Sequence, residues 1–285
     1  IGIGAATHAS DAVIVLFALV LGGGAALGSL FYSDKIALRT AGAVEVTPND
    51  GDQARRVHGI VDRLCALADM PKPRVALANT DLPNAFATGR NADKAVLCVT
   101  TGLMRRLDDN ELEGVIAHEM SHVAHKDVQV MTIASFLAIV AALLIRIAFY
   151  GELFGGGRGR GGNNQNAALV MLALMAVSIV VYAISFLLIR LLSRYRELSA
   201  DRSGALLTGQ PSALKSALVK VTGDIAKIPT RDLRTAEPLN AFFFAPAMSL
   251  RGGASLSSVF STHPSLERRL AELDKVQRQL NQAGS

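Results

Sequence analysis

Three long apolar runs constrain the fold of this 285-residue chain more than any other feature. Residues 12–32 carry no charged side chain, residues 128–150 carry only Arg146, and residues 167–192 carry only Arg190. Each run reaches the roughly 20 residues that a helix needs to cross the hydrocarbon core of a bilayer. Buried core helices of a large soluble protein are the alternative, but three such runs are too many for a chain this short. We therefore predict an integral membrane protein with at least three transmembrane helices.

The first run is expected to be an anchor rather than a cleaved signal peptide. No Lys or Arg precedes it, and it is longer than the usual apolar stretch of a signal peptide. The net charge of +5 is dispersed in pairs without interleaved aromatic residues, so no nucleic-acid partner is predicted. The two cysteines, Cys65 and Cys98, lack metal-ligand spacing and are predicted to be buried thiols of a reducing compartment.

The polar segments predict a mainly α, α+β domain with a small β-sheet, built from two separate parts of the chain. Helical patterns occupy 51–68, 109–126, 211–220 and 264–280, and alternating β-branched stretches at 74–79 and 94–100 predict strands. The second and third apolar runs form a hairpin whose Gly-rich tip lies at 155–162, so both polar parts lie on one side of the membrane. The predicted divisions are an anchor at 1–33, a first polar part at 34–127, the hairpin at 128–192 and a second polar part at 193–285.

The side that carries the polar parts is indicated by the charges that flank the apolar runs. Arg158 and Arg160 stand alone at the hairpin tip, whereas several basic residues flank the other side, namely Lys35, Arg39, Lys126, Arg190, Arg194 and Arg196. Because cytoplasmic flanks carry the excess of Lys and Arg, the polar parts are predicted to lie in the cytoplasm.

The segment His118–His122 reads His-Glu-Met-Ser-His and predicts a metal centre. On a helix, His118 and His122 lie one turn apart and present both imidazoles to one point. This arrangement suits a zinc ion, and Glu119 is close enough to act as a general base on zinc-activated water. The alternative is a buried pair of His side chains without a metal. The acidic, well-capped start at Asp109–Glu113 favours the metal-binding helix.

A catalytic zinc ion needs a third protein ligand. His125 shares the helix but lies about 10.5 Å along the axis from His118, too far to share one ion, and is expected to be a polar cap. Glu197 is the better candidate, because the hairpin returns its helix towards the metal helix. Asp201 lies one turn further, where it could accept a hydrogen bond from a ligand His. An ordinary solvated helix face is the alternative for this Glu/Asp pair.

His263 precedes Pro264 and would, taken alone, more often be a helix-start residue. In a hydrolase it could instead donate a hydrogen bond to the oxyanion of the transition state.

Four motifs together resemble those of HtpX-type membrane zinc metalloproteases, gluzincins related to the prenyl-protein CAAX endoproteases. In chain order they are Asn84-Ala85-Phe86-Ala87, His118-Glu119-Met120-Ser121-His122, Arg196-Glu197-Leu198-Ser199-Ala200-Asp201 and Thr262-His263-Pro264. The resemblance covers about residues 12–280 and includes the Gly-rich tip. Members typically carry four spans where this sequence shows three, which leaves the N-terminal end of the topology open.

The resemblance implies a zincin-like catalytic domain that binds one Zn²⁺ per chain. It implies metal ligands His118, His122 and Glu197, catalytic Glu119 and His263, and supporting residues Asp201 and Arg269. It also implies that Asn84, Ala85, Phe86 and Ala87 form a strand edge on which substrate backbone pairs. The implied activity is endopeptidase cleavage of misfolded or damaged proteins, expected to be membrane proteins, as quality control in a bacterial plasma (inner) membrane.

Three other functions stay open at this stage. A prenyl-CAAX-type protease would normally need more spans to enclose a chamber. A membrane scaffold that binds zinc without turnover has no use for a general base, so Glu119 argues against it. A transporter is disfavoured because the span interiors offer only Arg146 as an intramembrane charge.

Overall fold

The computed structural model describes residues 2–136, 138, 139, 142, 164–227 and 263–283. Residues 137, 140, 141 and 143–150 of the second apolar run lie outside the described residues, as do the Gly-rich tip at 155–162 and the charges Arg146, Arg158 and Arg160. The chain divides into two compact units, Ile1–Ser29 with Val130–Ile189, and Leu30–Gln129 with Arg190–Ser285.

Helices dominate both units. They are α1 (Gly2–Ala41), α2 (Asp52–Ala68), α3 (Thr101–Arg106), α4 (Asp109–Ala124), α5 (127–136), α6 (Asn164–Thr208), α7 (Pro211–Lys227) and α8 (Leu266–Ala283). The strands are β1 (Ala43–Glu45), β2 (Arg74–Ala78), β3 (Ala85–Thr88) and β4 (Val96–Thr100). The expected mainly helical architecture with a small β-sheet is therefore confirmed.

In the first unit, the described side chains of α1 and α6 expose large apolar groups. They include Leu16, Val20, Leu21, Leu27, Leu172, Val177, Ile179, Val180, Ile184 and Leu188. Among the residues that the structure describes, one helical stretch, Met175–Thr208 within α6, is long and apolar enough to cross a membrane. It overlaps the third apolar run.

In the second unit, the four strands form a mixed sheet in the order β1-β2-β4-β3. β2 and β4 run parallel with Arg74 opposite Val96, and β3 runs antiparallel to β4 with Ala85 opposite Val99. Helices cover one face of this sheet and bury an apolar core against it. That core includes Val57, Leu64, Leu97, Val99, Leu103, Leu112, Val115, Ile116, Met120, Leu214, Leu218, Ile225 and Leu273.

Local signals explain where two helices end. The last residue before the C-cap of α4 is Ala124, and Lys126 then adopts a left-handed backbone with φ of 56° before the chain becomes helical again at 127. Gly209, with φ of 66°, ends α6, a conformation that glycine adopts without steric cost. Pro211 then starts α7, where its missing N–H is harmless. In the second unit α4 and α6 contact each other, with Asp201 of α6 lying 2.9 Å from His118 of α4.

Candidate metal centre

Helix α4 carries the His-Glu-x-x-His segment in a well-defined local structure. Asp108 caps the helix, accepting from the backbone N–H of Glu111 at 2.9 Å, while the Glu111 carboxylate accepts from the N–H of Asp108 at 3.1 Å. This reciprocal capping box satisfies two backbone donors at the helix start. It fixes the start of the helix about two and a half turns before His118, which is itself buried together with Glu119.

Three ligand-type side chains converge as predicted. Nε2 of His118 lies 3.2 Å from Nε2 of His122. The two carboxylate oxygens of Glu197 lie 3.8 Å from His118 Nε2 and 3.6 Å from His122 Nε2. Atoms bound to one tetrahedral zinc ion at 2.0–2.2 Å are separated by roughly 3.3–3.6 Å. The two imidazole nitrogens lie close to this spacing and the Glu197 oxygens slightly outside it, so the three side chains could hold one zinc ion with a small adjustment.

Each His ring is held from behind by a carboxylate. Nδ1 of His118 lies 2.9 Å from Oδ1 of Asp201, and Nδ1 of His122 lies 2.6 Å from Oδ2 of Asp127. Donation from Nδ1 leaves the Nε2 lone pair of each ring directed at the other ring and at Glu197. Three acceptors in one place repel unless a proton or a metal ion lies between them, and the Glu197 charge favours the metal. The donor set of this site therefore fits a divalent cation.

Asp201 is itself held by Arg269, as the resemblance implied for the Glu/Asp helix. Nε and Nη2 of Arg269 donate to the two carboxylate oxygens of Asp201 at 2.7 and 2.6 Å. Both side chains are almost completely buried, and Nη1 of Arg269 lies 3.9 Å from Glu197. This two-point contact fixes the plane of the Asp201 carboxylate as well as its position.

His263 lies next to the third predicted ligand. Its Nδ1 is 3.2 Å from Oε2 of Glu197, and only about a tenth of its side chain is exposed. His263 is thus within the polar cluster rather than a surface residue at a helix start. His125, by contrast, is an exposed C-cap of α4, and its ring lies 3.5 Å from the Ser203 hydroxyl.

Glu119 faces the strand β3. Its Oε2 accepts from the backbone N–H of Ala87 at 3.1 Å. Burial raises the pKa of Glu119 to about 7, and the charge of Glu197 adds to that effect, while His122 opposes it. A carboxylate with a pKa near neutrality can both accept and return a proton at physiological pH.

The two His rings differ in their protonation equilibria. Burial lowers the pKa of His118, although its contact with Asp201 opposes this. Burial also disfavours protonation of His122, but the hydrogen bond to Asp127 and the charges of Glu197 and Glu119 outweigh it and raise the pKa. Metal binding at His122 must therefore compete with a proton.

The residues Asn84–Ala87 lie where β3 ends the sheet among the described strands. The Thr100 hydroxyl accepts from the N–H of Asn84 at 2.9 Å and lies 3.0 Å from its carbonyl oxygen, which anchors the start of the strand. Ala85 belongs to the core on the α4 side, whereas Phe86 packs on the opposite face with Ala37. The side chain of Phe86 is thus directed away from the α4 face, and β3 faces the site with the small side chains of its alanines.

Three residues at this site were given no role there by the reasoning from sequence: Asp127, Arg196, and Gly204, where an added Cβ would fall 2.8 Å from the backbone nitrogen of His118. Asp127 contacts His122 five positions after it, and Arg196 contacts Asp127 with its Nε 2.9 Å from Oδ2. Arg196 directly precedes Glu197 in the motif that indicated the third ligand. The need of a ligand His for a partner at its second nitrogen is the signal that could have found Asp127.

Comparison with known proteins places these residues in a broader context. The sequence pattern of peptidase family M48 matches residues 52–277. A protease HtpX homolog from Streptomyces coelicolor is 56% identical over 271 residues, covering 95% of this chain and 84% of that protein. Another, from Moorella thermoacetica, is 51% identical over 271 residues, covering 95% and 85%.

A solved structure shares the fold. The crystal structure of S. mikatae Ste24p aligns with a TM-score of 0.53 at 17% sequence identity, covering 93% of this chain and 66% of that chain. The aligned part of this chain therefore spans just under two thirds of the length of that chain.

Proposed function

This chain belongs to peptidase family M48 and is a zinc metalloprotease, and from that premise we propose that His118, His122 and Glu197 hold its zinc ion. The observation that carries this proposal is the convergence of their three ligand atoms within 4.8 Å. Bound there, zinc supplies a Lewis acid that polarises the substrate carbonyl and makes water acidic enough to be deprotonated near neutral pH.

Glu119 acts as the general base in this proposal. Its carboxylate takes a proton from the attacking water and later returns it to the leaving amine, so no net proton is consumed at Glu119. Two features support this role: its position next to His118 on α4, and a pKa that burial raises to about 7. Its contact with the N–H of Ala87 holds the carboxylate on the β3 side of the site.

His263 donates a hydrogen bond to the oxyanion that develops on the substrate carbonyl. The 3.2 Å contact between His263 and Glu197 supports this role because it keeps the ring beside the zinc ligands. Asp201 and Arg269 support the metal ligands without binding the metal. Asp201 orients His118, and the guanidinium of Arg269 lies 3.9 Å from Glu197.

Substrate backbone pairs with β3 along Asn84, Ala85, Phe86 and Ala87. The order of the sheet supports this pairing, because β3 has a described strand neighbour on one side only. Backbone pairing gives affinity with little dependence on sequence, which suits the cleavage of varied polypeptides. In this arrangement Phe86 contributes through its backbone, because its side chain is buried on the far face.

We place the enzyme in a bacterial plasma (inner) membrane as a multi-pass protein with a cytoplasmic catalytic domain. Residues 1–33 and 128–192 are the membrane part, and residues 34–127 and 193–285 form the catalytic part. The apolar stretch Met175–Thr208 and the exposed apolar side chains of the first unit support this division. Its role is quality control, the cleavage of misfolded or damaged membrane proteins.

The catalytic proposal is tested with two substitutions and one control. Glu119→Gln should retain one zinc ion per chain and lose cleavage of casein, because an amide cannot accept the proton. Glu197→Ala should lose zinc, as measured by atomic absorption, and a chelator should abolish activity of the parent chain. Glu267→Gln, on the exposed start of α8, is the matched control and should behave like the parent. Retained cleavage by Glu119→Gln, or full zinc content in Glu197→Ala, would contradict the assignments.

The substrate class is tested separately. The purified chain is offered a farnesylated CAAX peptide and, in parallel, a destabilised membrane protein in the same detergent. Quality control requires cleavage of the second and no carboxyl-terminal trimming of the first. Efficient processing of the farnesylated peptide alone would instead favour a prenyl-CAAX-type protease.

A further inference from the structure

A second series of charged contacts supports the metal centre, formed by His122, Asp127 and Arg196. Asp127 is 3% exposed, and one oxygen, Oδ2, lies 2.6 Å from Nδ1 of His122 and 2.9 Å from Nε of Arg196. A single carboxylate oxygen thus contacts the ring nitrogen on one side and forms an ion pair with the guanidinium on the other. Neither Asp127 nor Arg196 offers a ligand atom to the predicted zinc site.

Two features of the backbone bring these residues together. The left-handed residue Lys126 interrupts the helix after α4, and Asp127, the next residue, contacts His122 five positions back. Arg196 directly precedes Glu197 on α6, so one turn of that helix provides both the third ligand and the partner of Asp127. The position of α6 therefore acts on Glu197 directly and on His122 through Asp127.

The arrangement repeats the one at the other ligand. His118 pairs with Asp201, which pairs with Arg269, while His122 pairs with Asp127, which pairs with Arg196. In both series of contacts an imidazole is followed by a carboxylate and then by a guanidinium. A carboxylate behind a ligand His sets its tautomer and orientation and makes it a better donor to the metal. An arginine behind that carboxylate offsets the cost of burying its charge.

We propose that Asp127 and Arg196 are positioning residues that set the zinc affinity of this enzyme by holding His122 in its metal-binding orientation. This rests on the proposed ligand role of His122. Arg196 acts through Asp127, not on the metal or the substrate. The two arginines also differ in exposure: Arg269 is almost fully buried, whereas 18% of the Arg196 side chain is accessible. The contacts through Asp127 are therefore more easily perturbed than those through Asp201.

The test measures zinc affinity of the purified full-length chain by competition with a chromophoric chelator. Asp127→Asn should weaken zinc binding about 10–100-fold, the range expected for a partner behind a ligand. Arg196→Gln should weaken it about tenfold or less, since Asp127 remains. Asp93→Asn and Arg202→Gln are matched controls, the first in an exposed 3-10 helix (Ala92–Lys94) and the second on the same helix as Arg196, and both should bind zinc like the parent.

Two further measurements separate positioning from a general loss of structure. The visible spectrum of the Co²⁺-substituted protein should change in Asp127→Asn, because the ligand field that the His122 ring exerts on the metal depends on the orientation of the ring. In the double variant Asp127→Asn/Arg196→Gln, the effect of Arg196→Gln should disappear, because its partner is already gone. Additive losses in the double variant, or an unchanged Co²⁺ spectrum, would overturn the proposal.

His122→Ala distinguishes this proposal from the one on which it rests. If His122→Ala binds zinc like the parent, the ligand assignment itself is wrong. If His122→Ala loses zinc while Asp127→Asn and Arg196→Gln both keep parental affinity, the ligand assignment stands and the positioning role is overturned.

Discussion

Gly204 of α6 lies directly against the backbone of His118 on α4. A Cβ added at Gly204 would fall 2.8 Å from the backbone nitrogen of His118 and 3.1 Å from its Cα. These are backbone atoms within a helix, so they cannot rotate away from an added methyl group. The absence of a side chain at position 204 therefore permits the approach that places Glu197 and Asp201 beside the His rings.

The first prediction follows from this contact. Gly204→Ala should push α6 away from α4, lower the stability by about 1–3 kcal/mol, and weaken zinc binding at least tenfold, because overpacking displaces the ligand helix. Thermal unfolding and chelator competition measure the two effects. Gly223→Ala is the control, since a Cβ at that helical position in α7 meets nothing within 4 Å. It should be neutral or stabilising, and equal behaviour of the two variants would contradict the packing argument.

The second prediction concerns His263. Replacement by Gln removes the imidazole but keeps a side chain of similar length. If the ring stabilises the oxyanion, kcat should fall about 10²–10³-fold while zinc content and KM change little. If the ring instead only supports Glu197, zinc affinity would fall together with kcat, and the oxyanion role would be wrong.

The third prediction concerns the buried pair of Asp201 and Arg269. Arg269→Met leaves the Asp201 carboxylate buried without its two-point partner and should cost about 3–5 kcal/mol of stability, with loss of zinc. Arg268→Met removes the same charge from the neighbouring exposed position of α8 and should be close to neutral. Chemical denaturation of both variants checks the difference, and a loss of less than 1 kcal/mol in Arg269→Met would contradict this account.

The fourth prediction is a pH dependence of stability at Glu111. Burial by itself raises the pKa of Glu111, but hydrogen bonds from Lys220, Ser216 and the Asp108 backbone outweigh it and leave the pKa below its usual value. Ionised Glu111 therefore stabilises the folded chain at neutral pH, and this contribution is lost as the pH falls below the ordinary glutamate range into the lowered folded pKa.

Glu111→Gln should accordingly lower the Tm at neutral pH, and the difference from the parent should shrink as the pH falls to about 3. The matched control is Glu267→Gln, whose Tm should follow the parent throughout. If the Tm of Glu111→Gln stayed below that of the parent by the same amount at every pH, the charge of Glu111 would not be what stabilises the contact between α4 and α7.

Much of the fold could be predicted because its signals are local. The amphipathic patterns predicted α2, α4, α7 and α8, and the β-branched stretches predicted β2 and β4. The i, i+4 spacing of His118 and His122 implied the convergence of their Nε2 atoms. Two short elements, β1 (Ala43–Glu45) and α3 (Thr101–Arg106), were not predicted. The end of α7 was also misplaced: the helix continues to Lys227 instead of ending near 220, because its apolar face extends through Val221 and Ile225.

The candidate site was predictable only in part. By its spacing, Glu197 was as compatible with a solvated helix face as with a metal ligand, and the predicted hairpin, which returns its helix towards the metal helix, was needed to choose. Asp127 and Gly204 carried no local pattern, since one acts through a left-handed turn and the other through the lack of a side chain. The direction of Phe86 likewise depends on which face of the sheet α4 covers.

The sequence by itself determined the chemistry that this chain can offer: a helix with two imidazoles and a carboxylate, apolar runs of bilayer length, and a distant Glu/Asp pair. Only the tertiary structure decided how that chemistry is assembled, because the decisive contacts join residues far apart in the chain, such as Asp201 and Arg269 across 68 positions. Periodicity reports what lies on one face of one element. Which faces meet, and how closely, depends on packing between elements, and here on the missing side chain at Gly204.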